Sequence, residues 1–243
     1  TARSYNVEFK NGASKSERTV GRWIRRNGLR DKVTLITKGC YPELRDMHYS
    51  RLSPDCMEYD INTSLAVLDL DFVDRWFLHR DDERISVKEI VDAAHEIVKS
   101  GLTRAIGVSN WTTKRIAEAH AYAKEAGKTE FTASEIQWNM AEFTREMHRD
   151  DTMAAMYDED YAWYNENHMP VFAYSAQAVG FFSKYPQVGA DGLKPFAKVF
   201  LSEANIRRCE LVQEICREVG CTPSQLCIAY ITNNDVDGYA VIG

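Results

Sequence analysis

Apolar positions along this chain recur in two alternating rhythms. The first is helical: Val20, Trp23 and Ile24 fall on one face. Ser14 and Glu17 stand at capping-box spacing before them, and Gly28 can take the left-handed conformation that ends a helix. A compact apolar run over 33–37 then predicts a strand. Ser53-Pro54-Asp55 starts the next helix, with a cap, a proline in the first turn and an acid at the positive end. Met57, Ile61, Leu65 and Leu68 form its buried stripe, and "VDRWFLH" (73–79) is the following strand.

The rhythm continues to the end of the chain. Ser86 and Glu89 predict a second capping box, ahead of an inward face of Ile90, Val91, Ala94, Ile97 and Val98. "TRAIGVSN" (103–110) reads as a strand, and Thr112 or Thr113 caps a helix through Ile116, Ala119 and Ala123. "TASEIQW" (132–138) is a strand ending around Gln137. A polar stretch predicts a helix around 152–165, and "VFAYSA" (171–176) predicts a strand. Helices over 202–219 and 223–232 precede a closing strand in "YAVIG" (239–243).

Strict alternation implies right-handed crossovers and a parallel sheet. No shift in composition marks a boundary, so residues 1–243 read as one domain. The candidates are a doubly wound sheet and a barrel. The chain carries neither a G-x-G-x-x-G loop nor a P-loop, which favours the (β/α) barrel.

Polar residues close the predicted strands: Lys38, His79, Ser109-Asn110, Gln137 and Tyr174-Ser175. In a barrel those ends meet on one face, where active sites lie. Alone, each reads more simply as a surface lysine or a satisfied histidine; five on consecutive strands do not. Ser, Asn and Gln can hold a carboxamide, a tyrosine can stack on a flat ring, and lysine and histidine can polarise a carbonyl.

Composition narrows the functional classes. Lys and Arg number 30 against 36 Asp and Glu, giving a net charge of -6, which argues against nucleic acid as a partner. No apolar run approaches the ~18 residues of a membrane span, and no signal peptide is visible. None of the six cysteines forms a C-x-x-C pair, so reduced thiols and a cytoplasmic location are expected. "HRDD" (79–82) has the look of a kinase catalytic loop, but Ser86 stands where the metal-binding asparagine belongs. His148, Asp150 and Asp151 read as a solvated polar stretch rather than a metal site, and no metal is expected.

Seven stretches occur in a recognisable order. They are "TARSY" (1–5), "SERTVGRW" (16–23), "ITKG" (36–39), "FLHRDD" (77–82), "TRAIGVSNW" (103–111), "SEIQWN" (134–139) and "VFAYSAQAVGFFS" (171–183). Together they resemble the aldo-keto reductase family. That resemblance implies a (β/α)8 TIM barrel that binds NADP(H) or NAD(H) without a Rossmann domain. It also implies a catalytic tetrad of Asp, Tyr, Lys and His, with Tyr5, Lys38 and His79 in three of the four places. The aspartate is expected immediately before Thr1. Ser109, Asn110 and Gln137 match the carboxamide-binding positions, Tyr174 the ring that stacks on nicotinamide, and Ser175 and Gln177 the start of the pyrophosphate loop.

Against the family pattern the barrel is expected to be incomplete in this chain. The first strand, most of the second and a C-terminal segment would lie outside it, so a longer parent protein is expected. The implied function is hydride transfer between NAD(P)H and an aldehyde or ketone, with Tyr5 as general acid and base. Tyr41 and His48 in the loop "CYPELRDMHYSRLSP" (40–54), with Trp111, suit a sugar-like, hydroxylated carbonyl substrate. The alternatives are a cofactor-binding regulatory barrel with little or no turnover and a barrel acting on phosphorylated sugars. NADH against NADPH and the oligomeric state stay open.

Overall fold

A computed structural model describes residues 1–7, 13–43, 46–148 and 150–242. Leu44 and Arg45 of the loop after Lys38, and Gly243 of the expected closing strand, lie outside the described residues. The chain forms two compact units, Thr1–Ser134 and Glu135–Gly243. The described residues form six strands and eight α-helices, alternating up to β5 and then running through three helices to the last strand, and the strands that pair within each unit do so in parallel. This is the α/β class that the alternation predicts. No helix among the described residues is long and apolar enough to cross a membrane.

In the first unit, helix α1 (Lys15–Arg26) leads to strand β1 (Ile36–Gly39). Helix α2 (Pro54–Leu68), strand β2 (Arg75–Leu78), helix α3 (Val87–Lys99), strand β3 (Ile106–Ser109) and helix α4 (Thr113–Ala126) follow. β2 pairs with both β1 and β3; Lys38 stands opposite Phe77, and Phe77 opposite Gly107. Trp76, Phe77, Leu78, Ile106 and Val108 are buried, as strands covered on both faces must be. Strand β4 (Ser134–Gln137) starts at the end of this unit.

β1 begins three residues later than the apolar run suggests. Asp74 accounts for the shift: its Oδ2 accepts from Leu35 N at 2.7 Å and pairs with Arg30 at 2.8 Å. The chain reaches the sheet only after that anchor, and Lys38 lies inside the strand. The first capping box is half made. Ser14 Oγ accepts from Glu17 N at 3.2 Å, but the Glu17 carboxylate turns inward and accepts from Thr37 Oγ1 at 2.6 Å. At Ser86 the hydroxyl accepts from Lys88 N rather than from Glu89. A reciprocal box forms instead at Thr222 and Gln225.

The second unit carries helix α5 (Asp158–Asn167), strand β5 (Val171–Tyr174), helices α6 (Phe181–Val188), α7 (Glu203–Val219) and α8 (Pro223–Thr232), and strand β6 (Gly238–Ala240). β5 pairs in parallel with β6. Its core gathers Phe181, Phe182, Phe200, Cys209 and Val212. α5 starts six residues later than expected. Asp150 Oδ1 accepts from both Thr152 N and Thr152 Oγ1, which holds that stretch in a local turn. All six cysteines are free thiols.

Gly21 marks the close approach of α1 to α2: a Cβ there would meet the backbone of Leu68. Gly21→Ala is expected to destabilise the protein by about 1–3 kcal/mol through forced separation of the helices. A lower urea midpoint at unchanged m-value measures it.

Candidate active site

The rim of the first unit is built by backbone anchoring before any side chain matters. Thr1 N donates to Ile36 O at 3.1 Å, and Arg3 N to Lys38 O at 2.9 Å, so the opening residues run along β1. Ser14 Oγ lies 2.9 Å from Ala2 O and 2.8 Å from Tyr5 O, which turns the chain at Tyr5. On the neighbouring strand, His79 N donates to Gly39 O at 3.0 Å. Parallel register therefore carries Lys38 and His79 to the same rim.

These constraints bring three predicted side chains together. Lys38 Nζ lies 5.2 Å from the centroid of the Tyr5 ring. The Tyr5 and His79 rings stand edge to face, 5.7 Å between centroids. Lys38 and His79 are buried, whereas Tyr5 is 40% exposed. Tyr41 closes the other side of His79 at 4.8 Å, also edge to face. Asn110 Nδ2 donates to Ser109 Oγ at 3.0 Å and to His79 O at 3.4 Å. Asn110 holds a φ of 60°, a conformation asparagine tolerates better than most residues.

Burial first, then the charges of Lys38 and Arg80, hold the His79 pKa well below the ordinary histidine value. Its imidazole is neutral at pH 7 and so carries one N–H donor and one acceptor. Nδ1 is buried with no hydrogen-bond partner among the described residues. Arg80 was not singled out by the sequence. It is buried beside His79, donates to His79 O at 2.9 Å, and its guanidinium lies 5.3 Å from the Tyr41 ring centroid. Its place directly after a strand-end histidine was the available signal.

The other predicted substrate residues sit differently. Trp111 is fully buried, edge-on to Phe131 at 5.3 Å, with the Arg115 guanidinium over its ring. His48 is exposed in the loop after β1, its backbone N donating to Asp46 Oδ1 at 2.9 Å.

The second unit holds Gln137, Tyr174, Ser175 and Gln177. The Gln137 backbone is tied at both sides, its N donating to Ala154 O and its O accepting from Met156 N. Its side chain is buried, and Nε2 has no partner among the described residues. Tyr174 is half-buried, its hydroxyl 3.4 Å from Ala154 O. Ser175, Ala178 and Val179 all have φ near 50°, each at an intrinsic cost of roughly 1–2 kcal/mol. Gly180 N bonds Gln177 O and Ala178 N bonds Ser175 O within this tight segment. Gln137 and Ser175 line a cavity of about 300 Å³ with Met147, Met153, Val179 and Phe200. An orphaned amide N–H on a cavity wall fits the carbonyl of a carboxamide.

The family model described as "Aldo/keto reductase family" matches residues 1–243. Among curated relatives, the aldo-keto reductase ausK of Aspergillus calidoustus is 29% identical over 158 residues, covering 62% of this chain and 38% of the relative. A probable aryl-alcohol dehydrogenase, AAD4 of Saccharomyces cerevisiae, is 29% identical over 157 residues, 62% of this chain and 45% of the relative. An aryl-alcohol dehydrogenase of Phanerodontia chrysosporium, named for NADP(+), is 28% identical over 144 residues, 56% and 37% respectively. The chain thus spans less than half the length of the curated relatives it matches.

His79 makes stability depend on pH in a defined direction. An unfolded histidine titrates near ~6.5, and the folded one well below. Between those values the unfolded state binds more protons, so this contribution is complete above ~6.5 and is lost as pH falls. The wild-type protein should lose up to about 1.4 kcal/mol per pH unit in that window from this group. His79→Gln should lack that increment when urea unfolding is compared from about pH 7.5 to about 5.5.

Proposed function

Because the chain belongs to the aldo/keto reductase family, we propose that it is an NAD(P)H-dependent oxidoreductase acting between NADP(H) or NAD(H) and an aldehyde or ketone. The observation that carries this reading is the grouping of the Lys38 ammonium and the Tyr5 and His79 rings at one strand rim. Tyr5, exposed enough to reach a substrate, donates the proton that the carbonyl oxygen takes up during reduction and accepts it back during oxidation. Lys38 stabilises the negative charge left on the phenol oxygen. The neutral imidazole of His79 donates a hydrogen bond to the same carbonyl oxygen, a contribution of about 3 kcal/mol for a well-placed donor. NAD(P)H or NAD(P)+ held there would supply or accept the hydride at the carbonyl carbon.

Cofactor binding draws on the polar strand ends. Ser109, Asn110 and Gln137 would hold the carboxamide, Tyr174 would pack against the nicotinamide ring, and Ser175 and Gln177 would begin the pyrophosphate loop. The unpartnered Nε2 of Gln137 supports this assignment. The single (β/α)8 barrel domain expected from the sequence is part of the same proposal.

The substrate is a small carbonyl compound. Polar groups in the 40–54 loop, His48 among them, suit a hydroxylated one. Tyr41 adds an aromatic ring beside His79, and two relatives are named aryl-alcohol dehydrogenases. We therefore favour an aromatic aldehyde over a sugar. Trp111, sealed between Phe131 and Arg115, would act on the substrate only through the residues around it. The rival reading, a cofactor-binding regulatory barrel, predicts tight NADPH binding with no turnover of any aldehyde.

In the full-length protein, Tyr5→Phe should lower kcat for aldehyde reduction by roughly 100-fold or more, with NADPH affinity by fluorescence quenching unchanged. Unchanged turnover would remove Tyr5 from the chemistry. Tested as a panel, substituted benzaldehydes should give higher kcat/KM than aldoses; the reverse order would restore the sugar-like substrate.

A further inference from the structure

Asp60 lies on α2 and is completely buried. A buried carboxylate is tolerated only with charged and hydrogen-bonding partners. It has three here. Arg51 Nη2 reaches Oδ1 at 2.5 Å, Cys40 N donates to Oδ2 at 2.7 Å, and Arg3 Nε pairs with Oδ1 at 3.3 Å. The Arg3 contact is an attraction of charges rather than an aligned hydrogen bond. Both guanidinium groups also lie over the Tyr59 ring, at 5.3 Å for Arg3 and 6.0 Å for Arg51.

The positions of these partners give the cluster its meaning. Arg3 precedes Tyr5 by two residues; Cys40 follows Lys38 by two. Cys40 has a φ of 59°, a left-handed conformation that a non-glycine residue holds only when its surroundings impose it. One carboxylate therefore grips the segment bearing the phenol and the strand exit bearing the ammonium. The link between Arg3 N and Lys38 O fixes the two segments along the strand; Asp60 fixes them across it.

We propose that Asp60 and Arg3 are positioning residues that set the separation of Tyr5 from Lys38. The proposal rests on the reading of Tyr5 and Lys38 as the reacting pair. Asp60→Asn removes the charge from three partners at once and can fail to fold. Arg3→Gln is the cleaner variant, since it leaves the Arg51 pair and the Cys40 bond to Asp60 in place.

The experiment measures reduction of an aromatic aldehyde by the full-length protein at saturating NADPH, with NADPH affinity and thermal unfolding recorded beside it. Arg3→Gln should lower kcat roughly 10- to 100-fold, the scale of a misplacement near 1 Å, with KM and NADPH affinity within about twofold of wild type. Arg3→Lys, which keeps the charge, should restore kcat to within about threefold. A kcat for Arg3→Gln within about twofold of wild type overturns the proposal, and so does an Arg3→Lys variant as impaired as Arg3→Gln. Tyr5→Phe, run in parallel, separates the two levels. If it is inactive while Arg3→Gln is normal, the positioning role alone falls. If it keeps full activity, the catalytic reading falls and the positioning role with it.

Discussion

A buried ammonium governs the chemistry of this rim. Lys38 is 4% exposed at the end of a strand, where removal from water is costly for any charge. The face of the Tyr5 ring, 5.2 Å away, offsets part of that cost, at about 0.5–2 kcal/mol for such contacts. The same charge acts on its neighbour: burial first, then Lys38 and Arg80, keeps His79 neutral. A cationic imidazole beside Lys38 would add a second positive charge to a desolvated site. Burial and then the lysine thus keep that imidazole neutral near pH 7, with one ring N–H to donate.

Two acids decide which residue of β1 reaches the rim. Asp74 holds the entry, capturing Leu35 N and pairing with Arg30 and with Arg104 at 3.0 Å. Burial works against its ionisation, but the bonds from Arg30 and Leu35 prevail and hold its carboxyl below the usual carboxylate range. Asp60 holds the exit through Cys40. With both ends fixed, a four-residue strand cannot slip, and a slip of one residue would send Lys38 to the opposite face of the sheet. The precision needed to hold a cation beside a phenol is therefore supplied by charges on elements other than β1.

Much of this was legible in the sequence, for local reasons. Helices such as 223–232 could be read because the cap, the first-turn proline and the apolar stripe lie within a few residues of one another. Lys38, His79, Ser109 and Asn110 were visible because polar side chains at the ends of apolar runs break a local pattern. The misses are non-local. The late start of β1 depends on Asp74, 39 residues from Leu35. Glu17 abandons its capping box for Thr37, 20 residues away. Arg3 and Asp60 carry no mutual signal in the sequence, because their attraction exists only after α2 has packed.

The second unit shows the opposite economy. There Gln137 buries an amide N–H with no acceptor among the described residues, a deficit of about 1–3 kcal/mol. Three non-glycine residues between 175 and 179 hold left-handed backbone, adding roughly 1–2 kcal/mol each. Neither feature helps the protein fold, and both border the same cavity. On the proposed reading of this site, a ligand that offers an acceptor to Nε2 and contacts to that loop would recover energy the isolated protein has forgone. On that reading the strain would serve as preorganisation: the entropy of shaping the loop is spent during folding, and binding would gain the difference.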